Sequence, residues 1–75
     1  MKEFVEYVVK NMVDQPDQVV VKESHDGNLL VLDLHVAPDD MGRVIGKGGR
    51  VANSIRSLLR VMATQADQRV TLEID

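Results

Sequence analysis

Apolar residues near the start of the chain recur with a helical rhythm: Phe4, Val5, Val8, Val9 and Met12 fall at i, i+1, i+4, i+5 and i+8. That spacing gathers them into one stripe and predicts a helix from about Glu3 to Asp14. Pro16 prevents its continuation. Val19 to Ser24 is rich in β-branched valine and predicts a strand. His25-Asp26-Gly27-Asn28 follows, and Asp-Gly between apolar runs signals a hairpin because both positions tolerate positive φ. Leu30, Leu32, Leu34 and Val36 then alternate with Val31, Asp33 and His35, the pattern of a strand with one buried face. Ala37-Pro38 ends it. Asp39 is the expected N-cap of a short helix carrying Met41, Val44 and Ile45. Gly46-Lys47-Gly48-Gly49 must break that helix, since clustered glycines are unfavourable in a helix interior. A longer helix is predicted from near Arg50 to about Thr64, and a last strand from Gln68 to Ile74 with Val70, Leu72 and Ile74 inward. The order α-β-β-α-α-β predicts an α+β fold in which helices cover a three-stranded sheet. Its final crossover is long enough to permit a parallel strand pair. Residues 1–75 read as a single domain without linker, repeat or low-complexity segment.

Composition narrows the possibilities. A chain of 75 residues buries only about 60% of its unfolded surface, so its core must be efficient or shared with a partner. The absence of cysteine excludes disulfides and thiolate zinc sites. His25 lies in a predicted turn and His35 beside Asp33 on a strand, which is no metal site. No cofactor is implied. No apolar run approaches the roughly 18 residues of a membrane span, and no signal peptide opens the chain. Membrane insertion is therefore not expected, and a cytoplasmic location is. Charge is informative only once mapped. Met41 to Ala66 holds five cations (Arg43, Lys47, Arg50, Arg56 and Arg60) and no acid, while the remainder sums to −8. A pI near 5.2 weighs against a nonspecific polyanion binder. It leaves room for one basic face aimed at a localised anion. An ordinary solvated face is the alternative for this segment, and it suits Arg56 and Arg60 more than Lys47 and Arg50.

The stretch from Gly42 to Arg50 has three phosphate-handling readings. A P-loop needs four residues before its Gly-Lys-Ser/Thr; only three separate Gly42 from Gly46, and Gly48 replaces the hydroxyl. A dinucleotide fingerprint needs a strand feeding the glycines, whereas a short helix precedes these. The third is a helix–Gly-x-x-Gly–helix turn. Glycines lack Cβ atoms and let a sugar-phosphate backbone approach the main chain. The amides opening the second helix, with the positive end of its dipole behind them, face the same point. Lys47, Arg50 and Arg43 add charge, and Val44 and Ile45 could floor a groove for bases. Such an arrangement suits a single strand.

At these residues the chain resembles the KH domain. Val44-Ile45-Gly46-Lys47-Gly48-Gly49, with Ile55 following, looks like the family's Val-Ile-Gly-x-x-Gly signature. With the element order, it resembles the type II variant. The length and Gln15-Pro16-Asp17 are similar to the small bacterial KhpA family. That resemblance implies binding of single-stranded RNA by Arg43, Val44, Ile45, Gly46, Lys47, Gly48, Gly49 and Arg50. It also implies RNA-chaperone or post-transcriptional activity, pairing with a larger KH/Jag-domain protein, and a link to cell-envelope homeostasis, cell wall biogenesis and cell shape. Gly48 departs from the pattern, because KH domains often carry a basic or polar residue there, and one cation is left inside the turn.

An enzyme is not expected. There is no cysteine nucleophile, no serine shares a motif with histidine and aspartate, and Asp39-Asp40 fits helix capping better than acid–base work. The second long helix bears on assembly. Ala52, Ile55, Leu59 and Met62 cluster within about an 80° arc, the expected core face. Val61 falls far outside it, among Arg50, Ser54 and Ser57. Ser54, Ser57, Leu58 and Val61 are thus the expected face of a homodimer or heterodimer. The alternative to an RNA binder is a dimerisation subunit with little RNA affinity of its own.

Overall fold

Every residue from 1 to 75 is described by the computed structural model. Helix α1 spans Lys2–Lys10, strand β1 Val20–Asp26, strand β2 Leu29–His35, helix α2 Met41–Ile45, helix α3 Arg50–Gln65 and strand β3 Arg69–Ile74. The expected α-β-β-α-α-β order is present. Short 3₁₀ turns at Pro16–Gln18, Pro38–Asp40 and Lys47–Gly49 link the elements.

Strand β2 is central. It pairs antiparallel with β1, placing Val21 opposite Leu34, and parallel with β3, placing Leu32 opposite Leu72. The parallel pair is the one the α2–α3 crossover allows. Leu30, Leu32 and Leu34 face the helices and are buried, as the alternation predicts. The helices cover this face alone. On the opposite face Val20, Lys22, Asp33 and His35 are exposed. Val5 and Val9 from α1, Val44 from α2, and Ile55 and Leu59 from α3 close an aliphatic core with Val21, Val36 and Leu72. Helix α1 packs over β1 and α3 over β3. The core face of α3 is rotated slightly from expectation. Ala63 is buried beside Ala52, Ile55 and Leu59, and Met62 lies at the rim.

Three local details depart from the sequence reading, each for a physical reason. The hairpin loop is Gly27-Asn28, closed by the Asp26–Leu29 pair, one residue later than Asp-Gly suggested. Only Gly27 takes positive φ (64°), which fits a turn needing glycine first, and β1 therefore runs on to Asp26. Helix α1 stops at Lys10 rather than Asp14. The Asn11 side-chain amide donates to the Tyr7 carbonyl at 2.7 Å, and the amides of Asp14 and Gln15 turn away to a carboxylate. That carboxylate belongs to Asp40, not Asp39. Asp40 adjoins α2 but gives it no side-chain cap. It is buried and accepts from the backbone N–H groups of Asp14 (3.0 Å) and Gln15 (3.1 Å). A carboxylate can be buried when charge-assisted hydrogen bonds replace its water.

Candidate nucleic-acid interface

The glycine turn sits where α2 ends and α3 begins. Gly46 has φ 76° and ψ 172°, a region essentially closed to residues with a side chain. A Cβ at Gly46 would also lie 2.5 Å from Val51 Cγ2 and 2.9 Å from the Val51 amide nitrogen. Glycine is therefore required there twice over. Gly48 (φ 65°, ψ 19°) and Gly49 (φ 79°, ψ 12°) are left-handed, but a Cβ at Gly48 would meet open space and one at Gly49 only Asn53 Nδ2 at 3.7 Å. Their requirement is conformational alone. The Gly46 amide donates to the Gly42 carbonyl at 2.9 Å and closes α2, and the Gly49 amide donates to Gly46 at 3.1 Å and closes the turn. Helix α3 then starts with no side-chain cap, so the positive end of its dipole faces the turn. Lys47 and Arg50 are exposed and make no ion pair. Ile45, at 38% exposure, lies on the surface beside them.

Two expected members of the site stand elsewhere. Val44 is completely buried, so it supports the turn from the core, and of the two residues expected to meet bases only Ile45 reaches the surface. The reason lies in the helix geometry, since Val44 falls one turn after Asp40 and Met41 on the side facing the sheet. Arg43 is held by two carboxylates, with Nη2 at 3.3 Å from Asp14 Oδ2 and Nε at 4.0 Å from Asp40 Oδ1. These contacts join α2 to the end of the α1 connection, so Arg43, unlike Lys47 and Arg50, has acidic neighbours within the protein.

Arg56 and Arg60, the two cations of the segment for which the solvated alternative weighs most, line a cleft of about 210 Å³ between α3 and β3 with Leu59, Val70, Thr71 and Leu72. A second depression continues it past Arg60 and Val70 to Arg69. No acid lines either. The available signal was their position one residue after the core residues Ile55 and Leu59, which puts both arginines on the flank of the buried face. Which strand that flank would meet was not written in the spacing. A larger depression of about 470 Å³ on the open sheet face is lined by Asp33 and Asp75 as well as Lys22 and His35. It has neither the sign nor the location for a polyanion held at the turn.

Ser54, Ser57, Leu58 and Val61 are all exposed, with Leu58 at 53% and Val61 at 57%. The Ser54 hydroxyl donates to the Arg50 carbonyl (2.8 Å) and that of Ser57 to the Asn53 carbonyl (3.0 Å). Both serines thus turn their polar groups back onto α3. No helix is long and apolar enough to cross a membrane.

Comparison with known proteins bears on this geometry. A family profile described as KhpA/KhpB, KH domain, matches residues 2–74. The chain is 49% identical over 74 residues to RNA-binding protein KhpA of Halalkalibacterium halodurans, covering 99% of this chain and 97% of the relative. It is 45% identical to RNA-binding protein KhpA of Clostridium acetobutylicum, covering 99% of both, and 46% identical to that of Chlamydia trachomatis, covering 99% and 95%. Among solved structures, the fold resembles part of Aquifex aeolicus Era bound to GDP and aluminium fluoride, with TM-score 0.61 and 20% identity. That match covers 97% of this chain and only 28% of Era, and it speaks for the fold alone. Signature, fold and full-length similarity agree: the chain belongs to the KhpA/KhpB family of KH domains.

Proposed function

We propose that this chain is a non-catalytic protein that binds single-stranded RNA, holding the sugar-phosphate backbone at Gly46–Gly49. The observation that carries the reading is the turn itself. Three positive-φ glycines present main chain without Cβ atoms, beside the unpaired cations Lys47 and Arg50 and at the start of a 16-residue helix. The relatives' name, RNA-binding protein KhpA, supports the same assignment. With few cations at the turn, binding should be modest and salt-sensitive, with a slope of about 0.7 per phosphate neutralised on a single strand. Replacing both Lys47 and Gly48 with aspartate should abolish RNA crosslinking and preserve the circular dichroism spectrum. Aspartate tolerates the left-handed region better than most residues, and position 48 has room for it. Undiminished crosslinking in that variant would sink the assignment.

The finer role follows from the family resemblance. It is RNA-chaperone or post-transcriptional activity in the cytoplasm, exerted with a larger KH/Jag-domain protein and serving envelope homeostasis and cell shape. Assembly would use Ser54, Ser57, Leu58 and Val61, because Leu58 and Val61 are exposed large apolar residues next to inward-turned serines. Val61→Glu should lower the sedimentation mass from dimer to monomer at micromolar concentration. An unchanged mass would remove this face from the assembly. That exposed pair also favours a second reading, a dimerisation subunit with little RNA affinity of its own. Filter binding with and without the partner protein separates the two readings.

A further inference from the structure

Both outer strands of the sheet end in an unpaired edge, and the fold treats the two edges differently. At β3 the Arg56 guanidinium donates to the Leu72 carbonyl from Nε at 3.3 Å and from Nη2 at 3.2 Å, which occupies an edge acceptor. At β1 nothing does the same. Val20–Asp26 pairs with β2 through seven consecutive partners, without bulge or proline, and no turn, cap or loop hydrogen bond reaches its backbone. Such a strand presents alternate N–H and C=O groups as a template for another strand.

Two further observations say what fits there. On the helix side of β1 only Val21 is buried, while Glu23 and His25, farther along the same side, are exposed. Helix α1 thus overlies one end of the strand and leaves the other end open on both faces. In addition, Lys22, Glu23, His25 and Asp26 make no ion pair within the chain. An antiparallel second copy, related by a two-fold axis at Ser24, answers all four. Lys22 then lies opposite the second copy's Asp26 on the open face, and Glu23 opposite its His25 on the helix side, and symmetry repeats each pair. An axis at Lys22 or Glu23 would oppose like charges, and one at His25 would leave Glu23 facing a glycine. The Ser24 axis also sets the two Val21 residues about 20 Å apart along the ladder. Helices about 10–12 Å across therefore clear each other.

We propose that the β1 edge is a docking surface for a second copy of this chain, joined antiparallel about Ser24 into one continuous six-stranded sheet. The contact is short, below the roughly 1,200 Å² of stable interfaces, and so belongs to concentrations of hundreds of micromolar. It does not depend on the RNA-binding reading or on the α3 face, because α3 packs over β3 at the opposite edge. Both glycine turns stay uncovered in the pair, which carries two of them in one particle.

The chain has no cysteine, so a single introduced thiol reports alone. The test uses the Val61→Glu background, which disables the α3 face, at hundreds of micromolar in a glutathione redox buffer. Ser24→Cys places its thiol on the axis, where opposed Cα atoms about 4.5–5.5 Å apart can be bridged. It should form a covalent dimer roughly tenfold faster than Lys22→Cys or Asp26→Cys alone, because equivalent copies of those positions stand too far apart along the ladder. Mixing Lys22→Cys with Asp26→Cys should restore the fast rate, since those two positions face each other. Adding Asp26→Lys to Ser24→Cys should slow the reaction roughly tenfold, and less so in high salt. All the substituted positions are exposed. Equal rates for the three single-cysteine chains, or a mixture no faster than its components, would overturn the proposal. So would β1 amides in the wild-type chain whose hydrogen exchange does not slow as concentration rises, a result that needs no variant to fold. Protection that appears only on adding the larger KH/Jag-domain protein would assign the edge to that partner and overturn it too.

Discussion

Arg43 and Lys47 lie four residues apart in one acid-free stretch of sequence, yet the fold treats the two regions they occupy in opposite ways. Around Arg43 the chain supplies its own anions. Asp14 and the buried Asp40 approach the guanidinium, and Asp40 in turn takes the amides of Asp14 and Gln15. Around Lys47 it supplies none. Lys47 and Arg50 have no carboxylate partner, and the two glycines between them, Gly48 and Gly49, are both left-handed. Charges answered within the protein make a clasp. Charges left unanswered on a constrained backbone stay free for an outside anion, which is what the proposed RNA site needs. The difference teaches that a run of basic residues is not a functional unit until the neighbouring acids have been placed in three dimensions.

The comparison breaks most severely at Gly46. Gly46→Ala forces a side chain into a conformation that costs about 1–3 kcal/mol and drives its Cβ onto Val51, which adds overpacking of about 1–3 kcal/mol. A loss of about 3 kcal/mol or more in urea unfolding is expected. Gly48→Ala, with φ 65° and open space around it, should lose only about 1–2 kcal/mol. Equal losses at the two positions would mean that the Val51 contact does not constrain the turn. The clasp comes next. Asp40→Ala removes the acceptor of two backbone N–H groups at about 3 Å. Hydrogen bonds to a charged acceptor are each worth about 1.5–3 kcal/mol, partly recovered where water reaches the freed amides, so a net loss of about 2–3 kcal/mol is expected. At a temperature where this variant remains folded, its RNA affinity should equal that of the wild type. A large loss of affinity without a loss of stability would place Asp40 in the binding machinery.

Periodicity made most of the architecture legible. The stripe on α1, the alternation along β2 and the glycine interruption between α2 and α3 each encode a local geometry, and the element order follows from them. The turn was legible for the same reason, since its glycines are local requirements. What the sequence concealed was pairing across distance. The hydrogen bonds from Asp14 and Gln15 to Asp40 span 26 and 25 residues, and nothing in the local pattern distinguishes Asp40 from Asp39. Arg56 meets Leu72 across 16 residues, and its position on the flank of the α3 core face does not say which strand lies alongside. Val44 and Ile45 are adjacent and chemically alike. Only the placement of α2 over the sheet decides that the first is core and the second is surface.

The mildest test is also the sharpest, because it asks the two cations to behave differently under the same substitution. Arg43→Gln removes a partner from an exposed ion pair at 3.3 Å and a more distant neighbour from Asp40. Exposed pairs contribute about 0.2–1 kcal/mol, so stability should fall by that amount and the salt dependence of RNA binding should not move. Lys47→Gln removes a charge that no protein group answers. Stability should stay within about 0.5 kcal/mol, while the slope of log affinity against log salt should fall by about 0.7, the signature of one lost phosphate contact on a single strand. Paired urea-unfolding and salt-titration curves on the two variants provide both readouts. If Arg43→Gln lowers the salt slope as Lys47→Gln does, the clasp opens when RNA binds, and Arg43 belongs with the turn after all.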